Sequence, residues 1–213
     1  MSISERKITK IERQDNNRQR VSIYLNGDFA FGLDEEILLN RNLIVDRALT
    51  EKQIDELLSE DEKRRAKQKA FHYLAWRDHS KKELSEKLKR NGFHRETINS
   101  LIEDLVESKY LNDGSFARQF AKNKIIQKSV GRREMAFSLK KKGISEDILE
   151  KTLEEVYSEF DEEELAIELA KKKMKTINRI EPIKVKKRIS DLLFRRGFNW
   201  EIIEKVFEEM KLE

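Results

Sequence analysis

YLNDGSFARQFAKNKIIQKSVGRREMAFSLKKKG, running from Tyr110 to Gly143, is the stretch whose reading decides the fold. Asp113 is placed to cap a helix, because its carboxylate can accept the free N–H groups of the turn that follows. Phe116, Ala117, Phe120, Ala121 and Ile125 then recur at helical spacing and predict one apolar face. Gly131 interrupts, and a second helix follows with Met135 and Leu139 pointing to the same side. Gly143 ends it, since a residue without Cβ takes a left-handed conformation cheaply.

The flanks repeat this plan. Aligned on Gly92, Gly143 and Gly197, the segments SKKELSEKLKRNGF, GRREMAFSLKKKGI and VKKRISDLLFRRGF fall into register, with the glycines 51 and 54 residues apart. Leu84, Met135 and Ile189 stand eight residues before the glycines; Leu88, Leu139 and Leu193 stand four before. Phe93, Ile144 and Phe198 follow as the apolar contact of a glycine-stopped helix. A third amphipathic helix comes after each glycine. First helices are expected over residues 62–77, 113–128 and 161–178. An internal repeat of three-helix units explains all of this. Such a unit is marginal alone, so neighbours are expected to share apolar surface.

The first sixty residues differ in kind. Ile and Val alternate in two short segments, 7–13 and 20–25, and Asn26-Gly27 is a hairpin signal leading to Phe29-Ala30-Phe31. Asp34 is placed to cap a short helix through Leu39. Thr50-Glu51-Lys52-Gln53 fits a capping box for a connector helix carrying Ile54, Leu57 and Leu58. The fold expected is mostly α: an elongated tandem array of three three-helix, helix-turn-helix-like repeats behind a small N-terminal β-hairpin/α extension. The boundaries are 1–58 for the extension, then 59–109, 110–158 and 159–213 for the repeats.

Composition agrees with helices: of 213 residues 40% are charged, with one proline, seven glycines and no cysteine. The last point excludes disulfides, thiolate zinc sites and thiol catalysis. No apolar run reaches the roughly 18 residues of a membrane helix, and MSISERKITK lacks a signal-peptide core, so a soluble, cytoplasmic protein is expected. Net charge is only +4, but it is segregated. Residues 119–142 hold eight bases and one acid, 145–168 eleven acids and one base, and 171–196 eleven bases and two acids. Whole helices of one sign suit a polyanion or an acidic protein groove.

The run Tyr110-Leu111-Asn112-Asp113, Phe116-Ala117, Gly131 and Leu139 to Ile144 resembles the middle repeat of the RecX family of bacterial recombinase regulators. Ser80-x-x-Glu83-Leu84 with Leu88 resembles that family's first repeat, and the likeness extends from Lys63 to Met210. Arg132 departs from the family's frequent proline after the glycine. The resemblance implies a non-enzymatic modulator that lies in the groove of the RecA–single-stranded DNA filament. There it would inhibit or modulate filament growth, strand exchange, ATP hydrolysis and co-protease activity, in DNA repair and the SOS response. The implied partners are the RecA filament and DNA, single-stranded first and double-stranded second; a monomer without cofactor is expected.

The candidate contact residues are the bases on the repeated helices: Lys81, Lys82, Arg90, Lys122, Lys124, Arg132, Arg133, Lys140, Lys141, Lys142, Lys186, Lys187, Arg195 and Arg196. Asp113, Phe116, Gly92, Gly143 and Gly197 are structural. A non-specific nucleic-acid-binding module without RecA specificity is the alternative. Base readout is disfavoured, because acids such as Glu103, Asp104, Glu150 and Glu154 load the third helices and repel phosphate. Trp76 and Trp200 are assigned to core or inter-repeat packing rather than base stacking. His72, His79 and His94 have no metal-site spacing, Asp161 to Glu164 suit a helix start better than Mg²⁺, and no catalytic motif is present.

Overall fold

The computed structural model describes residues 5–176 and 182–212. The chain forms two compact units, one built from residues up to Ala75 together with Lys87–Asp104, the other from Trp76–Glu86 and everything from Leu105 onward.

In the first unit, β1 (Glu5–Gln14), β2 (Asn17–Leu25), β3 (Asp28–Asp34) and β4 (Ala48–Thr50) make one antiparallel sheet in the order β3-β2-β1-β4. Asn26 and Gly27 both take positive φ, 52° and 99°, as the tight β2–β3 turn requires. Alternation places Val21, Ile23, Leu25, Phe31 and Leu33 in one core with Ile8 and Leu49. Helix α1 (Glu35–Asn40) starts at Asp34, whose side chain accepts from the Glu36 N–H. Helix α2 (Glu51–Leu74) opens with the expected Thr50/Gln53 capping box and covers the core with Ile54 and Leu57.

Two sequence expectations change here. The connector helix and the first helix of the first repeat are one continuous α2 of 24 residues. Strand β4, three residues long, was hidden by its brevity; it joins the sheet through β1, with Arg6 opposite Leu49. Asp61 fastens α2 to the sheet. It is buried and accepts from both terminal nitrogens of Arg20 on β2 (2.9 and 3.1 Å), from the Asp34 N–H (2.9 Å) and from Arg65 (2.9 Å).

Helices α3 (Lys81–Arg90) and α4 (Arg95–Glu107) complete the first repeat. In the second unit, α5 (Asp113–Lys128), α6 (Arg132–Lys141) and α7 (Glu146–Glu159) form a bundle around Phe116, Ala117, Ala121, Ile125, Met135, Leu139, Leu149 and Val156. Helices α8 (Glu162–Met174), α9 (Pro182–Arg195) and α10 (Trp200–Glu209) form the next, around Ala166, Ala170, Ile189, Leu193, Phe198, Ile203 and Val206. The first-helix expectation for residues 161–178 ends at Met174; the part on residues 177–178 lies outside the described residues.

Gly92, Gly143 and Gly197 follow the second helices at φ of 84°, 79° and 86°, in the left-handed region expected of helix stops. Trp76 and Trp200 depart from the packing expected of them: they are 80% and 56% exposed. Trp76 falls in the connection after α2, and Trp200 is the first residue of α10 with its indole N–H on Glu204 (2.6 Å). Neither position is a core position of its helix.

Candidate functional site

Within the second unit, the start of one repeat's second helix meets the end of the next repeat's second helix, and the same joint is built twice. The residue twelve before the glycine donates to the carbonyl just before the following repeat's glycine. Ser80 uses its hydroxyl, giving Oγ to the Lys142 oxygen at 2.7 Å; Gly131 uses its N–H, donating to the Arg196 oxygen at 2.9 Å.

A carboxylate from the following repeat then caps the helix start. Asp113 accepts from the Lys81 N–H at 2.9 Å, and Glu162 accepts from the Arg132 N–H at 2.8 Å. Asp113 and Glu162 are both the first residue of their own helices, α5 and α8. Their own helices are capped by the residues before them, Asn112 (from the Ser115 N–H) and Asp161 (from the Glu164 N–H). The expectation that Asp113 caps α5 is therefore corrected by one residue. The free N–H groups it serves belong to another helix, 32 positions upstream.

Acids on the second helices complete the joints. Glu83 takes Arg77 (3.0 Å) and Lys142. Desolvation pushes its carboxyl up, but the hydrogen bonds from these two cations outweigh it and bring the pKa down to about 2. Glu134, at the same repeat position, holds Lys124 (2.7 Å) and the Ser138 hydroxyl. Burial again opposes ionisation, and Lys124, Ser138 and the field of Arg196 keep this group below the usual carboxylate range. Burial raises Glu162 despite Arg132 beside it, and raises the Tyr157 phenol, whose O–H donates to the Val130 carbonyl at 2.7 Å.

The candidate cations divide accordingly. Arg132 pairs with Glu162 and lies over the Tyr157 ring, Lys142 pairs with Glu83, Lys124 with Glu134, and Arg196 donates to the Lys128 carbonyl at 2.7 Å. Lys82 reaches the Lys141 carbonyl, and its stem covers Gly143. Lys122 and Lys140 pair with the acidic third helix through Glu159 (2.6 Å) and Glu146 (3.0 Å). Arg133 lies over Phe194 and Lys186 over Phe207. Lys81, Arg90, Lys141, Lys187 and Arg195 are exposed and make no ion pair among the described residues. Phe116 is buried and stacks on Phe120 with centroids 5.8 Å apart.

Reading the sequence for cations missed Glu83, Glu134 and Glu162, the acids these bases answer to. The signal was present in the register: Glu83 and Glu134 occupy one repeat position, where the last repeat has Arg188. No group of three or more metal-ligating side chains occurs among the described residues.

Comparison with known proteins matches four family profiles along the chain. These are the regulatory protein RecX N-terminal domain over residues 6–50, and the first, second and third RecX three-helix domains over 66–105, 112–153 and 161–207. A regulatory protein RecX of Clostridium perfringens (strain SM101) is 34% identical over 208 residues, 96% of each chain. The chain belongs to the RecX family. The RecX of Bacillus licheniformis is 31% identical, with 97% of this chain and 78% of that protein covered. A crystal structure titled regulatory protein RecX superimposes with a TM-score of 0.67 at 27% identity, covering 98% of this chain and all of that one. The RecX of Lactobacillus salivarius, at 24% identity and a TM-score of 0.63 over 72% of this chain, shares the fold. The RecX pattern of an N-terminal domain and three three-helix domains is thus the architecture seen here.

Proposed function

We propose that this chain regulates recombination without catalysis of its own, by binding the RecA–single-stranded DNA filament and inhibiting or modulating its growth. Strand exchange, ATP hydrolysis and co-protease activity then fall because they depend on the filament. The observation that carries this reading is family membership along nearly the whole chain. The repeated joint supports it physically. A joint of one kind presents successive second helices in the same register, so the unpaired bases Arg90, Lys141 and Arg195, each two residues before its repeat's glycine, recur at one position. Several weak contacts held in series add through effective concentration. The protein acts as a cytoplasmic monomer in this proposal; no described helix is long and apolar enough to cross a membrane.

These bases together with the unpaired Lys81 and Lys187 favour a second reading, a non-specific nucleic-acid binder. Titrating the chain into RecA hydrolysing ATP on single-stranded DNA at fixed salt separates the two. Loss of hydrolysis at substoichiometric chain supports the filament regulator. Unchanged hydrolysis together with tight, salt-sensitive binding to bare DNA contradicts it.

A further inference from the structure

Three positions on each second helix, ten, six and two residues before the glycine, fall one helical turn apart on a single exposed face. In the first repeat they hold Lys82, Glu86 and Arg90; in the third, Lys187, Asp191 and Arg195. Both are an acid between two bases, a pattern in which the central carboxylate offsets its neighbours. The middle repeat breaks it. There the triplet is Arg133, Phe137 and Lys141, and Phe137 is 65% exposed on α6.

The departure has company. The Arg133 guanidinium lies 5.2 Å from the ring centre of Phe194, itself 57% exposed on α9. Phe137, Arg133 and Phe194 therefore form a continuous run across two helices, with Lys141 one turn beyond Phe137. Large exposed aromatics beside an arginine are the composition of protein-interface centres. The surroundings disfavour a phosphate backbone. Arg132, Lys140 and Lys142, the other bases of this helix and its cap, are committed to Glu162, Glu146 and Glu83. On α6 itself only Arg133 and Lys141 remain, too few for this helix to bind by release of counterions.

Resting on the filament reading above, we infer that the α6 face centred on Phe137 docks on the protein component of the filament. The complementary surface is an acidic one with a recess for a phenyl ring. Phe137 supplies the anchor, and Arg133 and Lys141 flank it with charge. The flanking repeats, with an acid at the central position, contribute charge without an anchor.

The test uses the full chain, labelled for fluorescence anisotropy, with RecA assembled on single-stranded DNA and with the same DNA bare. Phe137→Ala is expected to weaken filament binding at least tenfold and to leave bare-DNA binding within twofold. Phe137→Asp gives the middle triplet the pattern of the third repeat and is expected to lose more, with helicity and Tm held at the starting values. Wild-type affinity of both variants for the filament would overturn this inference and leave the filament reading standing. Equal losses on filament and bare DNA would overturn it in favour of a base-stacking platform. A wild-type chain that ignores the filament would overturn the filament reading and this inference together.

Discussion

Asp61, with 2% of its surface exposed, accepts hydrogen bonds from Arg20 and Arg65 and also receives a backbone N–H. Removing a buried ion's partner costs more than the pair contributes, because the remaining charge stays desolvated. Asp61→Ala is expected to destabilise the protein by about 3 kcal/mol, read as a lower urea midpoint at unchanged slope. Glu83 gives a different signature. Its folded pKa, about 2, lies below the ordinary value of 4.5. Its contribution is therefore complete above pH 4.5 and is lost as pH falls toward 2. Glu83→Gln is expected to lower stability at pH 7 and to flatten the acid limb of a pH–stability profile over that window.

The second helices show what a glycine stop requires at the scale of an element. Left-handed φ costs an L-residue about 1–2 kcal/mol, and at Gly92 that is the whole expense, since a Cβ there meets nothing within 4 Å. At Gly143 a Cβ comes to 2.7 Å from the Lys82 Cδ, which can yield, and to 2.7 Å from its Cβ, which moves only with the backbone of α3. At Gly197 it lands on the backbone of Glu134, which cannot. The Ala series is thus expected to rank Gly92, Gly143, Gly197 in rising cost, with Gly197→Ala exceeding Gly92→Ala by more than about 2 kcal/mol in urea titrations. The capping carboxylates belong to the same scale. Glu162→Ala is expected to cost about 1 kcal/mol, through the start of α6 rather than through α8, whose own cap Asp161 is untouched. Amide exchange faster at Arg132 and Arg133, with α8 unchanged, is the check.

These elements also show how far the sequence could be read. Helix stops, the Asn26-Gly27 turn, and the caps at Asp34 and Thr50 are local signals and were legible as such. Asp113 was legible as a capper but not for the helix it serves, because its acceptor geometry depends on a neighbour far upstream in the chain. The continuity of α2 was masked by its changing apolar positions: Ile54 and Leu57 face the sheet core, while Ala66 and Ala70 are buried later along the helix. The candidate cations were legible as a recurrent pattern. Which of them are committed to carboxylates was not, because Glu162 and Glu83 meet them only through folding.

For the whole molecule, repetition of a joint makes an array, and its copies differ in charge at one repeat position. Glu83 holds Lys142 of the next repeat and Glu134 lies in the field of Arg196 from the next, whereas the third repeat has Arg188 at this position. A joint repeated in this way suits a chain that meets a large partner at several points. The central claim, that this partner is the RecA–single-stranded DNA filament, is tested most directly by co-sedimentation. The chain is spun with preformed filaments and, separately, with the same length of bare single-stranded DNA at equal salt. Saturable recovery with filaments, at fewer than one chain per RecA protomer and with little recovery on bare DNA, is the predicted result. Equal recovery on both, or recovery on bare DNA alone, would contradict it.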